Sequence, residues 1–423
     1  MGVALVVIAA VAIATLVALV LLVLFEPALA YRVKAPGVPL DSDAFMRIVG
    51  ATCDAQVERV GTFDVLHDGA GFYESELAAI AAARKSVHIE AFIFHPSSAG
   101  DRFVAALAER ARRGVQVRVI VDAIGSFPTP DRYFDEIRSG GGHVAWYQPI
   151  RWYTLKRFNN RTHRELVIVD GAIGYIGGAG IGAHWLDPAD GSLPWRDTMV
   201  RVTGSAVAGM QGAFIDNWLE STGDILADPE LYLSQPERGL GNAVVVSSVP
   251  SPARGARARV LFQLLLASAT KSIDINTPYF LPDGSARAEL VRAAQRGVRV
   301  RIVMPGNANN HPVARRASRM YYGELIRGGV EIYEYQPGMI HAKILVVDAT
   351  WSVVGSTNFD SRSFELNDEV NLAVNDRALA NRLLEDFAAD LASSRPISYA
   401  EWSARSWPQR FAGAVSLLLA RQV

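Results

Sequence analysis

Cysteine is nearly absent from the sequence, where Cys53 is the single thiol in 423 residues. One thiol can form neither an intramolecular disulfide nor a cysteine-based zinc site, so both are excluded. Net charge is scarce as well, and a value of −1 excludes a strongly basic nucleic-acid-binding protein. Charged residues amount to 20% of the chain, which argues against a coiled coil or a charged low-complexity tail. The length instead fits two or three globular domains of about 150 residues each.

Charged and strongly polar side chains are also missing from residues 3–25, which read VALVVIAAVAIATLVALVLLVLF. A helix of this length, at about 1.5 Å per residue, spans a hydrocarbon core of about 30 Å. The alternative is a cleaved signal peptide, because Ala28-Leu29-Ala30 offers a cleavage site. No basic residue precedes the run, however, and it exceeds the usual apolar core of about 7 to 15 residues. The segment is therefore predicted to be a single-pass transmembrane anchor.

The charges that follow this run indicate an orientation. Arg32, Lys34 and Arg47 come shortly after it. The positive-inside rule places such residues on the cytoplasmic side of a membrane. The sequence therefore predicts a protein of the cell membrane whose remaining chain is cytoplasmic.

Two stretches beyond the apolar run match each other. RKSVHIEAFIF at residues 84–94 corresponds to TKSIDINTPYF at 270–280, and RGVQVRVIV at 113–121 corresponds to RGVRVRIVM at 296–304. Matching segments in the same order indicate that the chain contains a duplicated domain.

The pattern inside each copy indicates the fold class. A β-rich apolar run, an amphipathic helix that ends at Gly114 or Gly297, and a second β-rich run predict a βαβ unit. Strands that alternate with helices imply an α/β fold in which a mixed sheet is covered by helices. We place the first domain at residues 60–225 and the second at residues 245–395.

A histidine motif follows in each copy at the same position of the repeat. The second copy reads HAKILVVD at residues 341–348 and GSTN at 355–358, and the first reads HRELVIVD at 163–170 and GGAG at 177–180. Residues two positions apart on a strand share one face. The histidine and lysine of the second copy are therefore expected to project into one pocket.

Two copies of HxKxxxxD followed by GSxN resemble the phospholipase D superfamily. The apolar N-terminal segment, the sequence Trp195-Arg196-Asp197 and the run FDSRS at residues 359–363 resemble its bacterial cardiolipin synthase branch. The resemblance covers about residues 60–395. It implies two phospholipase D-like α/β/α domains with mixed sheets, packed about a pseudo-twofold axis, with one active site built from both motifs. It also implies that the reaction requires no cofactor and no metal ion.

Phosphodiester chemistry explains these residue types. The anionic oxygens repel nucleophiles, so a site needs a nucleophile, a proton donor and fixed positive charge. A neutral imidazole can attack phosphorus to give a covalent intermediate, while a second imidazole, protonated near neutral pH, gives its proton to the leaving alkoxide. The resemblance implies His163 as the nucleophile and His341 as the acid and base. It further implies that Lys343 neutralises the nonbridging oxygens, assisted by Ser356 and Asn358.

Carboxylates complete the implied site. Asp197 and Glu369 stand where the family keeps residues that pair with the histidine of the opposite copy and fix its tautomer. Asp170 and Asp348 end the two motifs and are counted with the catalytic set. Their position past the strand end favours a structural role for both, in a turn or a salt bridge.

The first motif departs from the family pattern twice. Glu165 stands where a lysine is expected, and Gly180 stands where the asparagine of GSxN is expected. At about 4 Å and an effective dielectric constant of about 20, a carboxylate would repel a bound phosphate by about 4 kcal/mol. We therefore expect Glu165, near the substrate, to pair with Arg161 on the same strand face or with Lys343 of the other copy. At Gly180 a backbone N–H can replace the missing amide donor.

A membrane anchor places the active site beside lipid headgroups, which favours an anionic phospholipid, with phosphatidylglycerol first, over nucleic acid as the substrate. Residues 151–161 mix cations and aromatic rings and are interpreted either as a loop at an anionic interface or as a solvated loop. The tail, residues 402–423, is interpreted either as an interfacial segment or as a segment packed on the second domain. The sequence leaves the oligomeric state open.

Three functions remain possible from the sequence. The first is a cardiolipin synthase-like phosphatidyltransferase, in which a second phosphatidylglycerol accepts the phosphatidyl group. The second is a phospholipase D-type phosphodiesterase that uses water as the acceptor. The third is a degenerate, non-catalytic lipid-binding protein, which the two departures at Glu165 and Gly180 motivate.

Overall fold

The computed structural model describes residues 2–24, 29–152, 157, 159–232, 241–250 and 256–418. Parts of three predicted segments lie outside these residues: the end of the anchor with the start of its alternative cleavage site (25–28), much of the cation-aromatic loop (153–156 and 158) and the end of the tail (419–423).

Helix α1 (Gly2–Leu24) covers most of the predicted anchor, and its side chains are exposed from residue 2 to residue 18. Among the residues whose side chains are described, no helix is long and apolar enough to cross a membrane. The structure therefore confirms a helix at this position and does not confirm the predicted transmembrane anchor.

The first copy folds into a mixed sheet covered by helices. After α2 (Asp43–Thr52) and β1 (Val57–Val60), its elements are β2 (Phe63–His67), α3 (Asp68–Ala82), β3 (Ser86–Ala91), α4 (Ser98–Arg112), β4 (Gln116–Asp122), α5 (Asp135–Ser139), β5 (His143–Tyr147), β6 (Arg161–Thr162), β7 (Leu166–Val169), β8 (Ile173–Gly177), β9 (Thr198–Thr203) and α6 (Ala206–Thr222). The strand order is β2-β9-β8-β7-β3-β4-β5. Strands β3, β4 and β5 are parallel, and the other neighbours are antiparallel.

The second copy begins with β10 (Gly241–Ser248), α7 (Arg257–Ser268), β11 (Ser272–Asn276), β12 (Phe280–Leu281), α8 (Gly284–Gln295), β13 (Arg299–Pro305), α9 (Pro312–Arg327) and β14 (Glu331–Tyr335). It continues with β15 (Ile344–Val347), β16 (Trp351–Gly355), β17 (Phe359–Asp360), α10 (Ser361–Glu365), β18 (Asn367–Asn375), α11 (Arg377–Ala392), β19 (Ser394–Pro396), α12 (Tyr399–Ser403) and α13 (Trp407–Leu418). Its main sheet has the order β1-β10-β18-β16-β15-β11-β13-β14-β19.

The two sheets repeat one plan. The order β9-β8-β7-β3-β4-β5 in the first copy corresponds to β18-β16-β15-β11-β13-β14 in the second, with the parallel pairs in the same places. Gly114 and Gly297, which follow α4 and α8, have φ values of 83° and 91°. These values place both glycines in the left-handed conformation that commonly ends an α-helix. The predicted duplicated α/β fold with mixed sheets is confirmed.

Strand β1 and helix α2 precede the first copy in the sequence but pack with the second copy. Strand β1 pairs in antiparallel fashion with β10 and so joins the sheet of the second copy. Phe45, Met46 and Val49 of α2, and Cys53 directly after it, are buried in the core of that same half. These elements cover β10, which would otherwise present an unpaired strand edge.

A separate apolar layer joins the two halves. It combines Ile168, Val200 and Phe214 of the first half with Val354 and Leu372 of the second, all of them fully buried. Because one face of each sheet packs into this shared layer, the halves cannot separate without exposing apolar surface. The positions of side chains at the junction are therefore fixed by the core.

Backbone bonds cross this junction in a reciprocal way. Strand β6 pairs in parallel with the start of β18, and the N–H of His163 donates to the carbonyl of Asp368 at 2.9 Å. In return, Arg196 forms a parallel bridge with Ile340, and the N–H of His341 donates to the carbonyl of Arg196 at 2.7 Å. Each motif histidine is thus tied by its own backbone to the opposite half.

The aspartates that end the two motifs occupy equivalent turns. Asp170 and Asp348 have φ values of 53° and 55°. Each carboxylate accepts from three consecutive backbone N–H groups, those of residues 84–86 before and at β3 and of residues 270–272 before and at β11. The shortest of these bonds is 2.7 Å in both copies. Both side chains therefore hold the start of a central strand.

We predict that Asp348→Ala lowers the free energy of unfolding by about 3 kcal/mol, because three backbone N–H groups lose a charged acceptor. Thermal or denaturant unfolding at neutral pH measures this change. Asp224→Ala is the matched control, since Asp224 is exposed and lies outside these turns. A loss no larger than that of the control would contradict the structural role.

Candidate active site

The structure brings together the two motif histidines and the two carboxylates expected beside them. Nδ1 of His163 lies 3.1 Å from Oε1 of Glu369 on β18. Nδ1 of His341 lies 2.9 Å from Oδ2 of Asp197. Each pair joins opposite halves, as the backbone crossings require. An Nδ1–H that donates to a carboxylate leaves the lone pair on Nε2, which is the form of imidazole that can act on a substrate.

The local backbone differs from the expectation in one respect. Strands β7 and β15 begin at Leu166 and Ile344, so the first three residues of each motif precede the strand. The crossings to the opposite half, rather than a sheet ladder of their own, hold these residues. His341 and Lys343 still lie together, as described below.

Glu369 is fully buried and closely held. It accepts a short hydrogen bond from the Ser356 hydroxyl in addition to its contact with His163. Burial acts to raise the pKa of Glu369, but the charge and hydrogen bonds of His163 and Ser356 outweigh burial and hold the pKa below its ordinary value. The carboxylate is therefore ionised at pH 7 and can stabilise a charged imidazole. The sequence predicted that Ser356 contacts the substrate. In the structure its hydroxyl contacts Glu369 instead.

Asp197 has a similar environment in the other pair. Its Oδ1 accepts from the N–H of Thr198 at 2.8 Å, and its Oδ2 accepts from the indole N–H of Trp185 at 2.9 Å. Burial acts to raise the pKa of Asp197, but the hydrogen bond of His341 and the charge of Lys343 hold the pKa below its ordinary value. Trp185 belongs to no repeated motif, so the sequence carried no signal for its role.

Lys343 lies directly against His341. Its Nζ lies 2.7 Å from Nδ1 and 3.0 Å from Nε2 of His341 and donates to the His341 carbonyl at 2.8 Å. Burial lowers the pKa of Lys343 to about 8, opposed first by the negative charge of Asp197. A Cβ on Gly178 would lie 2.7 Å from the Lys343 side chain, so glycine at residue 178 leaves room for it. A phosphate oxygen bound to this ammonium would lie beside the imidazole.

The protonation state of His341 differs from the expectation. Burial and the neighbouring charge of Lys343 lower the pKa of His341 to about 4. The imidazole is therefore neutral at pH 7 in the structure, whereas the sequence argument assumed a protonated one. A bound phosphodiester brings negative charge to the same place and favours protonation of His341.

Glu165 and Gly180, the two residues at which the first motif differs from the family pattern, are neighbours in space. Oε1 of Glu165 accepts from the N–H of Phe92 at 3.3 Å and lies 3.0 Å from the position of a Cβ built on Gly180. That same Cβ would lie 2.7 Å from the Ile93 carbonyl. Glu165 therefore occupies space beside residue 180 that a side chain at that residue would need. The two exchanges are sterically compatible with each other.

Glu165 is buried, and its charge is partly suppressed. Burial raises the pKa of Glu165 well above its ordinary value, opposed by the charge of Lys343 and by backbone N–H groups. The neutral acid is favoured, which reduces the repulsion expected for a carboxylate near phosphate. Glu165 also holds Phe92, whose ring packs edge-on against the ring of His163 at 5.2 Å between centroids.

Arg161 does not take the predicted position. Its buried guanidinium lies 3.5 Å from Asp122 and donates to the carbonyl of Gln148 at 3.1 Å. The predicted pair of Arg161 with Glu165 is therefore wrong, because Asp122 and the Gln148 carbonyl bind the guanidinium instead. Asn358 is buried, and its Oδ1 has no hydrogen-bond partner among the described residues. Its amide is thus one candidate for contact with substrate.

Sequence comparison assigns the chain to a family. The family model described as "Cardiolipin synthase, PLD-like domain" matches residues 77–187 and 263–391. The major cardiolipin synthase of Bacillus subtilis (strain 168) is 35% identical over 359 residues, which cover 84% of this chain and 74% of that protein. A cardiolipin synthase of Oceanobacillus iheyensis is 36% identical over 357 residues, with the same coverage of 84% and 74%.

These similarities define a phospholipase D-like protein. The chain belongs to the cardiolipin synthase family of that class, and the resemblance stated from its motifs is confirmed.

Solved structures show the same fold. The phosphatidylserine synthase of Haemophilus influenzae Rd KW20 superposes with a TM-score of 0.71 at 14% identity, covering 90% of this chain and 100% of that one. The polyphosphate kinase of Porphyromonas gingivalis superposes with a TM-score of 0.55 at 12% identity, covering 80% of this chain and 49% of that one. At these identities the likeness concerns the fold alone.

We predict that Lys343→Met raises the pKa of His341 from about 4, because the variant removes the cation that opposes protonation. Asp197→Asn should lower it further, because the carboxylate that favours protonation is lost. NMR titration of the histidine rings measures both shifts. Lys85→Met is the control, and an unchanged His341 pKa in Lys343→Met would contradict the described electrostatics.

Proposed function

We propose that the protein is a membrane-associated phosphatidyltransferase that converts two phosphatidylglycerol molecules into cardiolipin and glycerol. The observation that carries this proposal is the pair of motif histidines, each against a carboxylate of the opposite half and with Lys343 beside one of them. Family membership supports the same conclusion, since the relatives named above are cardiolipin synthases. The arrangement supplies a nucleophile, an acid and a cation, which are the three parts that phosphodiester transfer needs.

The proposed reaction has two displacements. In the first, Nε2 of His163 attacks phosphorus, the bond from phosphorus to the headgroup oxygen breaks, and His341 gives a proton to the departing glycerol. In the second, the hydroxyl of another phosphatidylglycerol gives its proton to His341 and attacks phosphorus, which releases His163. Lys343 neutralises the nonbridging oxygens in both steps. No atom outside the two lipids is consumed.

The carboxylates act through the histidines. Glu369 holds Nδ1 of His163, which leaves Nε2 to attack, and its negative charge stabilises the imidazolium of the intermediate. Asp197 holds Nδ1 of His341 and offsets the effect of Lys343 when that ring must take a proton. Both residues are therefore proposed as positioning residues rather than as groups that contact phosphorus.

We include the N-terminal helix in the proposal as a membrane anchor with the remaining chain in the cytoplasm. The support is the apolar sequence of α1, the exposed side chains of its residues 2–18 and the basic residues that follow it. An anchor of this kind holds the active site next to its lipid substrates.

We predict that purified protein incubated with phosphatidylglycerol yields cardiolipin and glycerol. His163→Ala and His341→Ala should each lower the rate by about 10³-fold or more. The first removes the proposed nucleophile, and the second removes the proposed acid and base. His143→Ala is the matched control, since that histidine is exposed. Phosphatidic acid as the product would indicate water as the acceptor instead, and full activity in either motif variant would overturn the shared site.

We predict that Glu165→Gln keeps turnover within about threefold of wild type, because an amide can also accept from Phe92 and matches the neutral acid. Glu165→Lys should lower turnover by about tenfold, since an ammonium cannot accept that bond and is costly to bury. Measurements of kcat and KM for both variants test this. A several-fold gain in Glu165→Lys would show that the natural exchange impairs the site.

A further inference from the structure

Helix α13 carries an apolar stripe that faces outward. Trp407, Phe411, Val415 and Leu418 are 74%, 57%, 45% and 59% exposed. Their spacing of four, four and three residues places them on one face of the helix. The rings of Trp407 and Phe411 stack at 5.4 Å between centroids. We refer to these four residues as the α13 stripe.

The opposite face of α13 fixes this orientation. Gly413 and Ser416 are buried where the helix packs on α9. A Cβ on Gly413 would come within 2.5 Å of the sulfur of Met320, so any larger residue would displace the Met320 side chain from its contact with α13. Ahead of the helix, the indole N–H of Trp402 donates to the carbonyl of Arg319 at 2.6 Å. Because the inner face is held in this way, the stripe cannot turn inward without loss of these contacts.

A cationic cavity lies beside the stripe. Its volume is about 650 Å³, and its walls include the arginines at positions 315, 316, 319, 395 and 405 together with Asn307 and Gln409. Glu334, which is buried, contacts three of the arginines, and Glu401 contacts Arg395. Arg316 is exposed and has no acidic partner among the described residues. Five guanidinium groups against two carboxylates leave an excess of positive charge. We refer to this space as the arginine cavity.

We propose that the arginine cavity binds the phosphate of an anionic phospholipid while the α13 stripe lies among the acyl chains at the bilayer surface. Guanidinium groups bind phosphate through paired N–H donors, and basic residues near an anionic bilayer each favour binding by about 1 kcal/mol. An exposed row of aromatic and aliphatic side chains matches the apolar side of the same interface. A soluble phosphate ester is the alternative ligand. It would explain the arginines of the cavity, but it would leave the α13 stripe exposed to water.

The position of this surface fits a membrane contact. Asn307 of the arginine cavity precedes the residues 308–310 that line a second cavity with Trp195. The ring of Trp195 lies 5.1 Å from that of His341, so this loop connects the proposed surface with the region of the active site. The walls of the arginine cavity include none of the residues of the proposed catalytic site, so a lipid bound there is distinct from the lipid that reacts.

The N-terminal segment meets the same layer of helices. The backbone N–H of Tyr31 donates to Ser285 of α8 at 3.0 Å, and Arg287 of α8 pairs with Glu324 of α9 at 3.0 Å. Helix α13 packs on α9 in turn. The chain that follows α1 and the inner face of helix α13 thus contact one continuous layer, as expected if α1 and the α13 stripe lie next to one bilayer. This inference does not depend on turnover.

The single cysteine allows a direct test on the full-length chain. Cys53 is fully buried, so a cysteine introduced by Phe411→Cys can be labelled selectively with a fluorophore that senses polarity. The protein is reconstituted in phosphatidylcholine vesicles with and without phosphatidylglycerol. His163→Ala is included throughout so that the lipid composition stays constant. Ile225→Cys is the control label, since Ile225 is 77% exposed and follows Asp224 in the first half.

We expect the emission at position 411 to shift to the blue, and to be quenched by brominated acyl chains, only when phosphatidylglycerol is present. The label at position 225 should not respond. Arg316→Ala should raise the phosphatidylglycerol content needed for half of the shift by about fivefold, the equivalent of about 1 kcal/mol. Arg84→Ala, at an exposed arginine two residues before β3, should leave it unchanged.

The proposal is overturned if the label at position 411 reports water in both kinds of vesicle, or if positions 411 and 225 respond alike. An equal shift without phosphatidylglycerol would show apolar contact alone and would overturn headgroup binding. An equal effect of Arg316→Ala and Arg84→Ala would do the same. The test does not measure cardiolipin formation, so its failure is distinct from failure of the proposed catalytic function.

Discussion

The structure depends on two carboxylate–histidine pairs that cross between its halves. Glu369 and Asp197 are fully buried, and a buried carboxylate without a partner is strongly destabilising. Each finds its partner in the opposite half, and backbone hydrogen bonds from His163 and His341 hold the pairs in place. Neither half therefore contains a complete site. The apolar layer between the sheets keeps both carboxylate–histidine pairs aligned. The packing of the two halves therefore also sets the geometry of the site.

The duplication is symmetric in fold and asymmetric in chemistry. The second motif keeps Lys343, whereas the first has Glu165 packed beside Gly180. This exchange removes a cation and adds an acid whose neutral form is favoured by burial. The positive charge of the site then comes mainly from one half. In the proposed mechanism, Lys343 carries a larger share of phosphate binding than either lysine would in a symmetric site. Glu165 accepts from the N–H of Phe92, whose ring packs against His163, the proposed nucleophile.

Much of this arrangement could be predicted from the sequence because it repeats. The duplicated segments predicted matching sheets, and the glycines after α4 and α8 predicted where those helices end. Contacts between distant parts of the chain left no such signal. The pairing of β1 with β10 depends on which strand edge is open, and the partners of Arg161 depend on the path of β6. The neutral state of His341 follows from burial and from Lys343 together, which only the folded chain determines.

The central claim is that both halves form one site in which His163 attacks phosphorus. The most direct measurement traps the intermediate by rapid acid-free denaturation of the wild-type protein during turnover of phosphatidylglycerol labelled in its phosphatidyl group. Mass spectrometry of the peptides then locates the label. The account predicts a phosphatidyl group on the peptide that contains His163, and its loss in Glu369→Ala. A label on any other residue, or steady turnover with no covalent adduct, would contradict it.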